Sequence, residues 1–481
     1  MERPNNARYQ TSLILLCLLC LSPSFRDAGA ATWLVRPDQS GDVPTIQAAV
    51  DAAASGDTVS LDDGTFTGDG NKNIQIYGKA IAILSLSNDP AVCVIDCEAV
   101  APDFHHAFVI DSVGGPGVPG DAPVLLQGMT ITRADGHLGG AVVGSRSGIE
   151  IRDCIFDDNF ATYGGGLFVT DSCVVTLTGC VFSDNEAVGD GAISFYGVEM
   201  SASDCLFIRN GGYADGPGAV WGRDGTVSFE RCAFIDNWAK YGGAVDLSYD
   251  LTSTLSNCTF AGNWSQLSDG SAISNSWATL TTIERSIFAF NGPGAAISGC
   301  GDSLWVGCSD FYGNIDGDWD EWTDCLDSAF TMNGNFVLNP LFCDTLAGDC
   351  TLASLSPCLP ANNTCSVLVG AYDLGCTYPT AIGEDRPAAM HAVGLRAVPN
   401  PFNPRTTISY TLAQGAYTTL CIYDVGGRRI RSLVAGFETA GLHEVEWNGR
   451  TDAGRSSASG TYFVRLVSGG VVSSAKISML K

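Results

Sequence analysis

The chain repeats a short pattern of residue types at a nearly constant interval, and few folds tolerate that. Cys154, Cys180, Cys205, Cys232 and Cys258 follow one another in steps of 26, 25, 27 and 26 residues. Two places after each comes a phenylalanine (Phe156, Phe182, Phe207, Phe234, Phe260). Three further on comes an asparagine (Asn159, Asn185, Asn210, Asn237, Asn263). The series continues as Ser286, Phe288 and Asn291, then as Cys308 with an aromatic displaced to Phe311 and Asn314. An earlier unit over 127–142 keeps the apolar places, with Met129 and Ala134 where Cys and Asn stand elsewhere. A period in the twenties marks a unit that buries its apolar face only against its neighbours, which is a solenoid.

Each unit alternates with a period of two, as in "GIEIRDCIF" and "VVTLTGCVF", is rich in Val, Ile and Phe, and is too short for helices. Glycine clusters fall where the chain must turn. The L-x-x-L-x-L pattern of leucine-rich repeats is missing. The remaining architecture is an all-β parallel β-helix whose turns stack strand on strand. Stacked equivalents lie about 4.8 Å apart, so cysteine and phenylalanine point inward in ladders. Asparagine at the bend donates and accepts to the turns on either side. About twelve turns make a rod roughly 60 Å long.

An open solenoid end needs a cover. In "PTIQAAVDAAASGDTVSL", Pro44 opens a short helix that places Ile46, Ala49, Val50 and Ala53 on one face, and Gly56-Asp57 stops it. That is an N-terminal capping helix over the core.

Lys and Arg total 25 against 52 Asp and Glu, for a formal charge of −27. Nucleic-acid binding rests on cations meeting phosphates, so that class is excluded. From Arg396 onward basic residues outnumber acids ten to five, and this asymmetry marks a domain boundary. Residues 1–30 read as a signal peptide, with Arg3 and Arg8 ahead of the apolar "SLILLCLLCL" and small residues at the cut. That run is too short for a permanent span, so the protein is not membrane-spanning. In an oxidising compartment, Cys93/Cys97, Cys300/Cys308, Cys343/Cys350 and Cys358/Cys365, in loop-rich stretches, suit local disulfides. Ladder cysteines, with side chains in parallel, suit free thiols.

The helix followed by "GDTVSLDDGTF", "YGKAIAILS" and "CVIDCE" resembles the start of the secreted right-handed parallel β-helix, or pectin-lyase-like, superfamily. The stretch 335–376 resembles the closing segment of bacterial β-helix-repeat proteins. The resemblance covers roughly 33–376, within a β-helix domain bounded at 31–376, and implies a fold rather than an activity, because the superfamily holds lyases, hydrolases and non-catalytic surface proteins. After a linker at 377–396, residues 397–481 read as a small antiparallel β-sandwich, with a hairpin turning at Gly426-Gly427. "PNPFNP", Trp447-Asn448-Gly449 and Ser459-Gly460-Thr461-Tyr462 resemble both the type IX secretion sorting domain and the flagellar-hook-cap-type Ig-like module. That likeness implies export by secretion machinery to the outer surface of a bacterium, or release.

One place before the ladder asparagines stand Asp158, Asp184, Arg209, Asp236, Gly262 and Phe290. Acids one or two turns apart suit glycoside hydrolysis; Asp beside Asn is equally the chemistry of a tight turn. In "GNIDGDWDEWTD", the acids Asp316, Asp318, Asp320 and Glu321 are candidate calcium ligands, and calcium is the one candidate cofactor. Trp305, Trp319 and Trp322 offer sugar-stacking faces or end-cap packing. A polyuronate lyase needs a basic residue as proton acceptor, and Lys72, Lys79, Lys240, Arg209 and Arg231 form no visible cluster. Two functions follow: a non-catalytic adhesion or glycan-binding rod, or a polysaccharide hydrolase or lyase. The first is preferred, because ladders account for nearly every recurring residue.

Overall fold

The computed structural model describes residues 30–99, 103–114, 122–213, 216–240, 242–266, 270–276, 278–319, 333–344, 349–377, 395–412, 416–423, 429–439, 441–451, 456–468 and 471–480. The signal-peptide reading, Ala30 excepted, and most of the linker lie outside them.

A middle turn runs Gly148–Arg152, Ile155–Asp157, Phe160–Tyr163 and Leu167–Thr170, and the next strand, Val174–Thr178, lies on the first. Pairing is parallel and in register, with Ile149↔Val175, Phe156↔Phe182, Phe160↔Glu186 and Leu167↔Ile193. The described strands form sheets of seventeen, ten and six along the solenoid. Higher up, two short strands of the turn fuse into Ile193–Ser203, Val220–Glu230 and Val245–Ser256.

The ladders form as the repeat requires. Phe156, Phe182, Phe207, Phe234, Phe260, Phe288 and Phe311 stack with centroids 4.6–5.1 Å apart and planes within 8°. The column therefore continues unbroken to Phe311; what slips is the cysteine. Ser309 accepts the Ser286 N–H at 3.1 Å and occupies the ladder place. Cys308 sits one residue earlier at φ 49°, equivalent to Arg285 at φ 50°. The reason is its bond to Cys365, which pins the C-terminal segment to the solenoid. Cys343 bonds Cys376. The local pairs expected for Cys308, Cys343 and Cys365 thus give way to pairs 57 and 33 residues apart in sequence. Cys93, Cys97, Cys350 and Cys358 are buried free thiols.

The ladder cysteines are free and buried, as expected. Cys180 Sγ donates to Ile151 O at 3.4 Å, and Cys232 and Cys258 repeat the contact to the turn below. Burial pushes the Cys154 and Cys258 thiols up to about 12. A thiol sealed away from solvent does not react. Cys154, Cys180, Cys205, Cys232 and Cys258 are therefore expected to resist an aromatic disulfide reagent in native buffer and to react in 6 M guanidinium, about the concentration that unfolds stable domains; labelling of any of them in the native protein contradicts the stacked core.

The first end closes as the sequence suggests. The helix spans Ile46–Ala52 with Thr45 as N-cap, its hydroxyl accepting from Ala48 N. Ile46, Ala49 and Val50 are buried in the solenoid core. Lys79 Nζ donates to Val50 O and Ala53 O at 2.8 and 3.0 Å, a cation on the helix's unsatisfied carbonyls.

At the far end Phe336 continues the stack on Asp310, and residues 349–377 pack as a strap on the outer face of the ten-stranded sheet. Val369, Leu352, Cys358 and Leu359 pack on Ile287 and Ala289, while Cys350 and Tyr372 cover Ala233, Ile235 and Ala261. Under this strap Asp310 is wholly buried. Its carboxylate accepts from Leu338 N at 3.0 Å and Cys358 Sγ at 3.3 Å. Desolvation outweighs both bonds and pushes its pKa up to about 7. A carboxyl raised in the folded state binds its proton more tightly there than in the unfolded chain, so its contribution falls as pH rises from about 4 to about 7. Asp190 and Asp236, both raised to about 6, act in the same direction over a narrower window. Melting temperature is expected to be higher at pH 5 than at pH 8, and Asp310→Asn to reduce that difference. An unaltered difference in the variant excludes Asp310 as a source.

The C-terminal strands form a three-stranded sheet and a four-stranded sheet. Trp447, Tyr410, Phe402, Leu420 and Ile477 are buried in the core of this unit. Strands Ala416–Tyr423 and Arg429–Glu438 pair antiparallel, as the hairpin requires; the turn residues lie outside the described set. No helix among the described residues is long and apolar enough to cross a membrane.

Candidate functional site

Asp158, Asp184 and Asp236 stand in one column at φ 55°, 52° and 52°, with Arg209 between the last two at φ 55°. The left-handed conformation suits Asp and Asn because their short polar side chains bond locally. Arg209 Nε donates to Asp184 Oδ1 at 2.8 Å. Asp158 is exposed. Asp236 is exposed, yet neighbouring chain desolvates its carboxyl and pushes it up to about 6, against the pull of Arg209. The column brings the three acids together with a cation among them.

In the acidic loop, Asp316 Oδ2 accepts from Gly294 N at 3.0 Å and Asp318 Oδ1 from Asn314 Nδ2 at 2.9 Å. Asp318 thereby terminates the asparagine ladder, and burial raises its pKa. Asp320, Glu321 and Trp322 lie outside the described residues. Trp319 packs on the core and edge-on to Phe311 at 5.4 Å, an end-cap role, whereas Trp305 is exposed. The basic residues weighed for proton abstraction are engaged elsewhere: Lys79 on the capping helix, Lys72 near Glu98 at 3.7 Å, Arg231 on Asp204 at 2.7 Å.

A more organised set of side chains flanks the glycine corner between the six-stranded sheet and the start of Ile193–Ser203 and its stacked equivalents. On one side run Phe160, Glu186, Gly211, Trp238 and Trp264 in register. Trp238 and Trp264 stack at 6.2 Å, and Tyr213 meets Trp238 edge-on at 5.0 Å. Gly211 leaves room for the Trp238 ring: a Cβ there would stand 2.2 Å from it. Tyr213 donates to Glu186 Oε2 at 2.5 Å, and desolvation with that bond pushes its phenol up to about 12. On the other side run Phe168, Ser194, Trp221 and Asp246 in register, with Tyr196 and Arg223 alongside. Exposure is 37% for Phe160, 41% for Tyr163, 42% for Tyr196, 53% for Tyr213 and 50% for Tyr249. Large apolar rings held this open on adjoining turns form a surface that excludes little water until something lies on it.

At the corner itself Asp190 is 9% exposed and accepts from Ser194 Oγ at 3.0 Å. Burial pushes its carboxyl up to about 6, the Ser194 bond pulling the other way. Gly189 lies against the Tyr163 ring and Gly216 against Asp190 Oδ1. Asp246 stands two stack steps above Ser194, roughly 10 Å along the axis, with Trp221 between them. The corner thus combines aromatic planes with a carboxyl protonated in part near neutral pH. These residues escape the repeat because they do not repeat. Their signal is the aromatic beside a ladder asparagine or ahead of the glycines, in "NFATYGGG", "NGGYADGPG" and "NWAKYGGA".

A family model described as the right handed beta helix region matches residues 52–211, and one described as the FlgD Ig-like domain matches 403–470. Both fit the described architecture, a right-handed β-helix with a C-terminal Ig-like domain. No curated protein matches the chain. Among solved structures the chain is similar to PorZ of Porphyromonas gingivalis, a bacterial surface component of the type-IX secretion system, at 24% identity and a TM-score of 0.16. That match covers 20% of this chain and 12% of PorZ. It is also similar to tailspike gp49 of Acinetobacter baumannii bacteriophage Fri1, a capsular polysaccharide depolymerase, at 12% identity and a TM-score of 0.29, over 95% of this chain and 80% of that one. XylC in complex with xylose gives 7% identity and a TM-score of 0.25, over 91% and 100%. At TM-scores this low, neither fold nor activity transfers from these proteins.

Proposed function

We propose that the protein works outside the cell as a rigid rod that holds a glycan along the two rows flanking the glycine corner without cleaving it. In this reading residues 31–376 are the rod, and 397–481 serve its export through secretion machinery or remain as a surface module. The observation that supports it is the concentration of half-exposed aromatic rings on consecutive turns between residues 160 and 264. Such rings present flat apolar faces beside hydroxyl and carboxyl groups, the composition that fits a sugar ring. The test is titration calorimetry of the chain from Ala31 against a panel of polysaccharides. Replacing Tyr163 and Tyr213 together with Ala is expected to weaken binding about tenfold, two lost aromatic contacts of about 0.5–1.5 kcal/mol each, with the melt unchanged. Binding indifferent to both rings, or no binding across the panel, refutes the rod as a glycan receptor.

Asp190 favours a second reading, hydrolysis of the bound chain. A buried carboxyl raised towards neutrality is suited to general-acid work. The same panel, assayed for new reducing and unsaturated ends with and without calcium, separates the two. Product makes Asp190→Asn the first variant and Asp158, Asp184 and Asp236 the next. Dependence on calcium turns attention to Asp316, Asp318, Asp320 and Glu321.

A further inference from the structure

Among the described arginines of the solenoid, Arg223 differs in kind. Arg36, Arg133, Arg146, Arg152, Arg209, Arg231 and Arg285 each donate hydrogen bonds to side-chain oxygens. Arg223 instead lies with its guanidinium carbon 4.4 Å from the Tyr196 ring centroid, 5.7 Å from that of Tyr249 and 5.9 Å from that of Trp221. Its Nε is buried and makes no well-aligned hydrogen bond. The nearest carboxylate is its chain neighbour Asp224, with Oδ2 3.3 Å from Nε, and both side chains keep more than a third of their surface open. Tyr196 and Asp224 engage the guanidinium through single oxygens, short of the paired oxygens its fork can bind. The aromatic frame fixes the guanidinium plane, so little conformational freedom remains to be lost when a ligand arrives.

We propose that Arg223, framed by Tyr196 and Tyr249, receives an anionic substituent of the glycan, a carboxylate or a sulfate ester. This rests on the glycan-binding reading and names the class of sugar it selects. The planar fork matches a paired-oxygen acceptor, and the tyrosine rings on the turns below and above cover the sugar that carries it. Because the whole chain is strongly acidic, long-range attraction does not assist an anion. Selectivity must come from contact at this residue, in competition with Asp224 and with Asp190 and Asp246 on the adjoining column.

The experiment compares three oligosaccharides of equal length by calorimetry: one bearing uronic acids, its carboxyl-reduced neutral counterpart, and that counterpart sulfated. Wild type is expected to bind an anionic form at least about tenfold more tightly than the neutral one, the scale of a charge-assisted paired hydrogen bond. Arg223→Gln is expected to abolish the difference, neutral and anionic forms then binding alike, with the melt in place. Arg223→Lys, a point charge without the planar fork, is expected to restore only part. Preference for the uronate or for the sulfated arm identifies which oxyanion is read. Equal affinity for neutral and anionic forms in wild type, or a preference that survives Arg223→Gln, overturns the assignment and leaves the glycan reading standing. No binding of any of the three by wild type overturns both.

Discussion

Asn237→Ala is expected to destabilise the solenoid by about 1–3 kcal/mol, beyond an ordinary surface change. Asn237 is wholly buried at the bend. Its Nδ2 donates to Asn263 Oδ1 and to Phe207 O, both at 3.0 Å, and its Oδ1 accepts from the Asn210 N–H and Asn210 Nδ2, also at 3.0 Å. Alanine removes all four bonds and strands the Asn210 N–H where water does not reach, while Asn210 Nδ2 keeps Phe182 O and Asn263 Oδ1 keeps the Asn237 N–H. One such group costs about 1–3 kcal/mol, and the lost contacts to groups that keep a second partner add little. Because each turn touches only its neighbours, the loss should be local as well. Amides between residues 205 and 265 should exchange faster, while those of the capping helix at Ile46–Ala52 hold. Asp158→Asn, an exposed change one place from the same ladder that keeps a residue suited to the left-handed backbone, serves as the control, with an effect within about 0.5 kcal/mol. A melt and an exchange pattern indistinguishable from wild type would mean that the ladder contributes nothing.

The parts of this protein legible in its sequence are those that repeat. Phe156 through Phe311 and Asn159 through Asn314 are required by stacking at every turn, so their period is written openly. The capping helix was legible because its apolar stripe is local. Cys308 misled: it holds the residue type of the ladder one place out of register, and only its long-range bond to Cys365 explains it. Pairing at a separation of 57 residues depends on where the C-terminal strap folds back, which local pattern does not encode. The same strap crowds Asp236, so its raised carboxyl was equally hidden. At the candidate site, Tyr163, then Asp190, then Tyr213, Trp221 and Arg223 come from three successive turns that contribute different residues. Periodicity reports what is common to the turns, and binding surfaces are made of what is not. Asp158, Asp184 and Asp236 drew notice for the opposite reason: they lie near the repeat, where left-handed backbone selects Asp for conformation.

Phe207→Ala is expected to cost about 3–5 kcal/mol, the range for emptying a buried aromatic site. Phe207 lies between Phe182 at 5.1 Å and Phe234 at 4.7 Å, with Phe229 edge-on at 6.3 Å. Its neighbours cannot close the gap, because each ring is held in register by its own strand, Val181–Ser183 below and Ala233–Ile235 above. Phe207→Leu retains most of the volume and loses only the stack, so a cost nearer 1.5 kcal/mol is expected. The two large effects should not add. Asn237 donates to the carbonyl of Phe207 itself, so either substitution loosens the strand that the other depends on. Once that strand is loose, the second loss is partly prepaid, and the double variant should fall short of the sum by about 0.5–3 kcal/mol. Urea unfolding of both single variants and the double variant measures this directly. Strict additivity would show that the inner stack and the asparagine bend stabilise the turn independently, and that the repeat joins two separate devices rather than one.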